Sequence, residues 1–167
     1  MRIRAESERD RTSIHAVNTA AFDTPAEADL VDSLRGSADP IISLVAEADG
    51  KVVGHILFTP VTLTDCSEAF LMGLAPMAVA PTQQGQGIGS LLVKAGLDEC
   101  KKTGAEAVVV LGHPGYYPRF GFAPASRFGI KSEYDVPDDV FMVIEMQPGS
   151  LSGKAGTVKY HGAFGDV

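Results

Sequence analysis

The sequence predicts an α+β fold in which one mixed sheet carries helices packed against it. Three stretches support that expectation. Ile41 to Glu47 and Val52 to Thr59 are β-rich runs joined by Ala48-Asp49-Gly50-Lys51, whose Asp-Gly pair is a strong hairpin signal. Ile88, Leu91, Leu92, Ala95 and Cys100 recur at helical spacing, and Gly104 stops the run. Ala107 to Leu111 is short and wholly apolar, as suits a strand buried on both faces.

The remaining elements follow in order. Ile3 to Ala5 reads as a short edge strand. Ser7 with Asp10 resembles a helix cap, and Ile14, Val17 and Ala21 then repeat at helical spacing. A second helix starts at once, with Thr24 as N-cap, Pro25 at the first helical position and Glu27 completing a capping box. Leu30, Val31 and Leu34 form its apolar stripe, and Gly36 is placed to end it. Beyond the hairpin, Val61 to Leu63 prolong the second strand past Pro60, a residue that demands an edge or a bend. Thr64 to Glu68 is a turn. Ala69 to Val79 is the next strand, interrupted by Gly73 and by Pro76, where a missing ladder donor predicts a bulge or a splayed edge. Pro81 to Gly89 is a polar, glycine-rich turn leading into the long helix. After Ala107 to Leu111 come a Gly-Pro loop, a short Tyr-rich element from Tyr116 to Phe120, and a final strand, Val140 to Met146. The tail from Pro148 is only weakly periodic.

Length and composition narrow the function. With 167 residues and 45% hydrophobic content, the chain suits a single domain, residues 1–167, around one core. The net charge is −7 and no basic run occurs, which argues against nucleic-acid binding by phosphate neutralisation. Cys66 and Cys100 lack metal-ligand spacing and are too few for a disulfide framework; Cys100 falls on the apolar side of a helix as a small core residue. Met1 to Arg11 is charged and offers no signal peptide, and no apolar stretch is long enough to span a membrane. The expected setting is the cytoplasm, without a membrane partner.

Gln84-Gly85-Gln86-Gly87-Ile88-Gly89 joins a strand to a helix N-terminus. There the backbone N–H groups are unpaired, the helix dipole attracts anions, and glycines let a pyrophosphate come close. A phosphate cradle is one reading; a turn that needs glycine merely to fold is the other. The segment has no P-loop lysine after Gly89, and the glycine spacing fails the dinucleotide fingerprint at Ser90.

Gln84-x-x-Gly87-x-Gly89 resembles the Q/R-x-x-G-x-G/A signature of the GNAT N-acetyltransferase superfamily, in its small bacterial-type form. It follows a strand ending Met77-Ala78-Val79 and opens a helix. Tyr117-Pro118-Arg119-Phe120-Gly121-Phe122 resembles that family's Y-x-x-x-G-F segment, and the element order from Ile3 to Met146 is the family's order. The resemblance implies the GNAT fold, a mostly antiparallel sheet splayed between its fourth and fifth strands, here Ala69–Val79 and Ala107–Leu111. It implies acetyl-CoA as co-substrate, with the backbone around Met77, Ala78 and Val79 on the pantetheine arm. Gln84, Gly85, Gln86, Gly87, Ile88, Gly89 and Ser90 would then hold the pyrophosphate through successive amides. With small or uncharged side chains there, and glutamine where arginine is common, charge assistance would be slight.

The implied reaction moves an acetyl group to a primary amine by direct attack in a ternary complex. It needs a neutral amine, a stabilised oxyanion and a protonated leaving thiolate. By its place four residues before Gly121, Tyr117 matches the family's general acid, with Tyr116 as the neighbouring alternative. The Val79 N–H is the oxyanion donor by analogy. No base is evident on the fourth strand. His113 is the first candidate, since histidine changes charge between pH 5 and 8, and Glu68 is the second. His55 reads as a satisfied sheet residue. The acceptor is a small-molecule or peptide amine, met by the first two helices, the Thr64–Glu68 loop and the Ala125–Asp139 region, where Asp135, Asp138 and Asp139 read as a solvated loop. Homodimers are common in the family. The competing class is a non-catalytic acyl-CoA-binding regulatory module, with a nucleotide-binding protein behind it.

Overall fold

Asp49 and Gly50 both take positive φ (51° and 76°), the geometry of a primed two-residue turn whose twist matches that of the strands it joins. In the computed structural model, which describes residues 1–166, the chain runs β1 (Arg2–Ala5), α1 (Arg11–Phe22), α2 (Ala26–Ser37), β2 (Ile42–Ala48), β3 (Lys51–Leu63), β4 (Leu71–Val79), α3 (Ile88–Lys102), β5 (Ala107–Leu111), β6 (Ala123–Pro124), β7 (Ile130–Ser132), β8 (Phe141–Glu145) and β9 (Gly156–Lys159). The main sheet has the order β1-β2-β3-β4-β5-β8-β6, and along it only β4 and β5 are parallel.

That parallel pairing is short. It joins Leu71 to Ala107, Met72 to Val108 and Gly73 to Val109, then stops. β5 continues beside β8 as far as Leu111, whereas β4 stays with β3 as far as Val79. The cause is local. Ile56 pairs with Met77 and Phe58 with Leu74, so Ala75 and Pro76 together oppose Leu57 in a bulge. Proline has no N–H to give to β5, and the bulge turns the rest of β4 away. The expected splay at Pro76 is therefore present. Pro60 obeys the same rule. It faces Met72, in the interval where β2 has ended opposite Phe58 and β9 has not begun opposite Thr62, so its missing donor costs no ladder bond on that flank.

Alternation along the strands builds two faces. Ile56, Phe58, Met72 and Val108 point to the α3 side and pack on Ile88, Leu92, Val93 and Cys100. Val45 and Leu57 point the other way, onto Ile14, Leu30, Val31 and Leu34 of α1 and α2. Beyond those helices, Val61, Leu71, Val109 and Phe141 are covered by Ile130, Leu151 and Val158. This cover corrects the sequence reading in which Val140 to Met146 is the final strand. β9 pairs antiparallel with Thr62 and Leu63 and parallel with β7. Two boundaries also move: α2 runs one residue past Gly36, and its N-cap is Pro25 rather than Thr24. No described helix is long and apolar enough to cross a membrane.

Candidate active site

The glycine-rich turn takes the shape its residues require. Gly85 and Gly87 stand at φ +79° and +83°, and Gly87 is the N-cap of α3. An L side chain at Gly87 would be strained by roughly 1–2 kcal/mol. Among the described residues, no backbone carbonyl accepts from the amides of residues 84–90. These donors border a cleft of about 600 Å³. Gln84, Gly85, Gly87, Ile88, Gly89 and Ser90 line one side of it, and Met77, Ala78 and Val79 line another. Gln86 is exposed and does not line it. The Gln84 side chain turns back, its Nε2 donating to the Val79 carbonyl at 3.0 Å.

Register decides which strand amides face this cleft. The Ala80 N–H donates to the Val53 carbonyl at 2.8 Å, which makes Ala80 and Val53 a hydrogen-bonded pair. In the same register, Val79 with Gly54 and Met77 with Ile56 are non-hydrogen-bonded pairs. Their N–H and C=O groups point away from β3, into the gap. Ala78, opposite His55, has its backbone committed to β3.

Tyr116 closes the cleft. Its hydroxyl lies 3.1 Å from Ser90 Oγ, and Arg119 stacks over its ring at 4.5 Å while donating from Nε to the Tyr116 carbonyl. Arg119 thus brings a cation to a cleft expected to lack one. It sits inside the Tyr-Pro-Arg-Phe segment, where helical spacing gives no signal for it.

A second cleft, of about 560 Å³, opens where β4 leaves β5. Leu74, Pro76 and Met77 form one wall, with Val110, Leu111 and Gly112 opposite. Met77, His113 and Phe22 border both clefts, so the two meet there. Tyr117 lines only the second. Its ring packs edge-on against Tyr116 (centroids 5.1 Å) and Phe122 (5.7 Å) and lies over Gly112, where a Cβ would overlap it. Burial, with Tyr116 adding to it, pushes the Tyr117 phenol up to about 12. His113 is exposed, and its carbonyl accepts from the Tyr116 and Tyr117 amides.

Around the second cleft stand residues not singled out as site residues from sequence. Phe22 ends α1 just before Asp23, which at φ 62° turns the chain sharply into α2 and brings Glu27 and Leu30 to the same wall. Tyr134, Tyr160 and Phe164 supply the outer wall. This cleft is lined from the first two helices and by Tyr134, whereas neither the Thr64–Glu68 loop nor Asp135, Asp138 and Asp139 line it.

Other candidates lie elsewhere. Glu68 is bonded to Cys66 at the opposite end of β4 and lines neither cleft. His55 is fully buried, with Nδ1 3.1 Å from Asn18 Nδ2 and Nε2 2.8 Å from Ser43 Oγ, as befits a satisfied sheet residue. Burial pushes the Cys100 thiol up to about 12, so it stays an inert core group.

A sheet that opens beside a helix start with unpaired amides is the frame of an acyl-group transferase. Residues 6–122 match the model of the Acetyltransferase (GNAT) family. YjhQ, an uncharacterized N-acetyltransferase of Escherichia coli K12, is 42% identical over 153 residues, 86% of this chain and 84% of its own. YhbS, an uncharacterized N-acetyltransferase of the same strain, is 36% identical over 165 residues, 98% of both chains. A crystal structure of Escherichia coli YhbS in complex with CoA has a TM-score of 0.91 at 36% identity, covering 98% of this chain and 91% of that one. A GNAT family acetyltransferase from Brucella melitensis, in complex with acetyl-CoA, has a TM-score of 0.81 at 37% identity, covering 98% and 97%. The chain belongs to the GNAT family of acetyltransferases.

Proposed function

We propose that this protein transfers an acetyl group from acetyl-CoA to a primary amine by direct attack in a ternary complex. The observation that carries the reading is the run of unpaired amides at residues 84–90, all but Gln86 bordering the same cleft as the outward-facing Met77 and Val79. A diphosphate fits the first set, since nothing lies within 4 Å of where side chains would stand at Gly85 and Gly87. The pantetheine amides fit the second in the manner of an added strand. The complexes of YhbS with CoA and of the Brucella protein with acetyl-CoA support the choice of carrier.

In this reading the thioester reaches the junction of the clefts. His113, which borders both, takes the proton of the attacking amine. The Val79 N–H, free of β3, stabilises the oxyanion. Tyr117 gives its proton to the departing thiolate. A phenol near 12 is a weak acid for an ordinary thiol of about 8.5. The thiolate leaves into the same apolar gap, however, and desolvation raises it too.

The test follows CoA thiol release over a panel of amines, for wild type and Tyr117→Phe. The expected result is release with wild type and a loss of roughly 10²-fold or more in kcat for the variant. Acetyl-CoA binding without release for any amine would support the non-catalytic module instead.

A further inference from the structure

The two clefts sort by charge, and this bears on the acceptor. The carrier cleft holds Arg119 and the free amides of α3. Among the described residues lining the second cleft, there is no lysine or arginine, and Glu27 is the one carboxylate. Glu27 is half-buried at the start of α2 and takes a hydrogen bond from the Thr24 hydroxyl at 3.2 Å. The rest of the wall is apolar or aromatic apart from His113. Tyr160 anchors the aromatic part, with Tyr134 at 5.8 Å and Phe164 at 5.2 Å between centroids, and its backbone N–H donates to Glu133 at 2.6 Å. Burial, with Tyr134 and Glu133 adding to it, pushes the Tyr160 phenol up, so the ring itself stays neutral.

A second observation points to a ligand on this wall. Five large hydrophobic side chains are left exposed among the described residues, and Phe22, Leu111 and Tyr134 all border this one cleft. Apolar surface gathered in this way marks a binding groove rather than scattered exposure.

Resting on the transferase reading, we infer that the acceptor is a primary amine on an apolar body, aromatic by preference, that carries no anionic group, and that Glu27 sets this selectivity. The aromatic wall takes the body through ring-edge contacts. Glu27 attracts the cationic amine as it enters and repels an anion. A free amino acid with the same side chain would bring its carboxylate to a wall without a cation, where an unpaired charge is costly to desolvate. Glu27 is thus a positioning residue; the attacking nitrogen is deprotonated at His113.

Phenethylamine and phenylalanine differ only in the carboxylate, so they read the inference directly. Each is titrated calorimetrically into the CoA-saturated protein, and acetyl transfer from acetyl-CoA is measured in parallel. Phenethylamine is expected to bind about tenfold more tightly or better. Glu27→Gln, which keeps shape and hydrogen bonding, should shrink that ratio severalfold while leaving CoA affinity unchanged. Equal or tighter binding of phenylalanine, no binding of either, or an unchanged ratio in Glu27→Gln overturns the inference and leaves the transferase reading standing. Selective binding of phenethylamine with no transfer to any amine upholds the cleft inference and overturns the transferase reading.

Discussion

Acidification from pH 8 to pH 5 is expected to destabilise the protein through His55. The ring lies at the centre of a buried chain that ties α1 to the sheet. Asn18 Nδ2 donates to His55 Nδ1 and also to the Ile14 carbonyl (3.0 Å); His55 Nε2 donates to Ser43, whose hydroxyl donates to Glu6, itself paired with Arg35 at 2.9 Å. Both ring nitrogens have a partner with the imidazole neutral, and a proton on Nδ1 would meet a donor; among the described residues, Asn18 Oδ1 is left without a partner. Burial therefore lowers His55 from 6.5 to about 4, with Glu6 opposing and Arg35 adding. The unfolded chain takes up this proton first, so the stability is whole above about 6.5 and is lost as pH falls toward 4. The gap between the folded and unfolded ring gives a loss of about 2 kcal/mol at pH 5 and about 3 kcal/mol at pH 4. Glu6, whose pairing with Arg35 and Ser43 outweighs its burial and lowers it from 4.5, acts in a more acidic window. Urea unfolding followed by circular dichroism at pH 8, 7, 6 and 5, for wild type and His55→Gln, measures the slope. An NMR titration of the His55 ring measures its pKa independently. A wild-type slope equal to that of His55→Gln, or a ring that titrates near 6.5, would refute the reasoning.

Two further perturbations address the clefts. Arg119→Ala removes the cation over Tyr116 and is expected to weaken CoA binding about fivefold at low salt, with the difference fading as ionic strength rises. Calorimetric titration of CoA at two salt concentrations checks it; a salt-independent loss would mean that Arg119 acts through packing alone. Gly112→Val pushes a side chain into the Tyr117 ring and should lower kcat by about 10²-fold with little change in KM for acetyl-CoA. Full kcat in that variant would separate the Tyr117 position from the chemistry.

How far the sequence could be read depended on the range of the forces involved. The Asp49-Gly50 turn, the stripe of α3 and the break at Pro76 are short-range effects of backbone sterics and side-chain period, and each appeared where those rules put it. β7 and β9, of three and four residues, were missed. Neither is long enough to show alternation; they exist because they pair with each other and with the end of β3. With them went Tyr160 and Phe164, whose place in the second cleft depends on how the tail packs. Glu27 was legible as a capping residue, but nothing local revealed that the left-handed turn at Asp23 would put it at the mouth of a cleft.

Taken alone, the chain's residues determined the mixed α+β architecture, the glycine-lined helix start and the point at which β4 must leave its neighbour. Those are consequences of a missing N–H, an absent Cβ or a repeat of 3.6 or 2 residues, each confined to a few adjacent positions. Which amides of β4 face the gap, and which side chains from four distant segments meet there, was decided only by tertiary structure. Strand register fixes the first, because one residue of slip turns every group over, and long-range packing fixes the second.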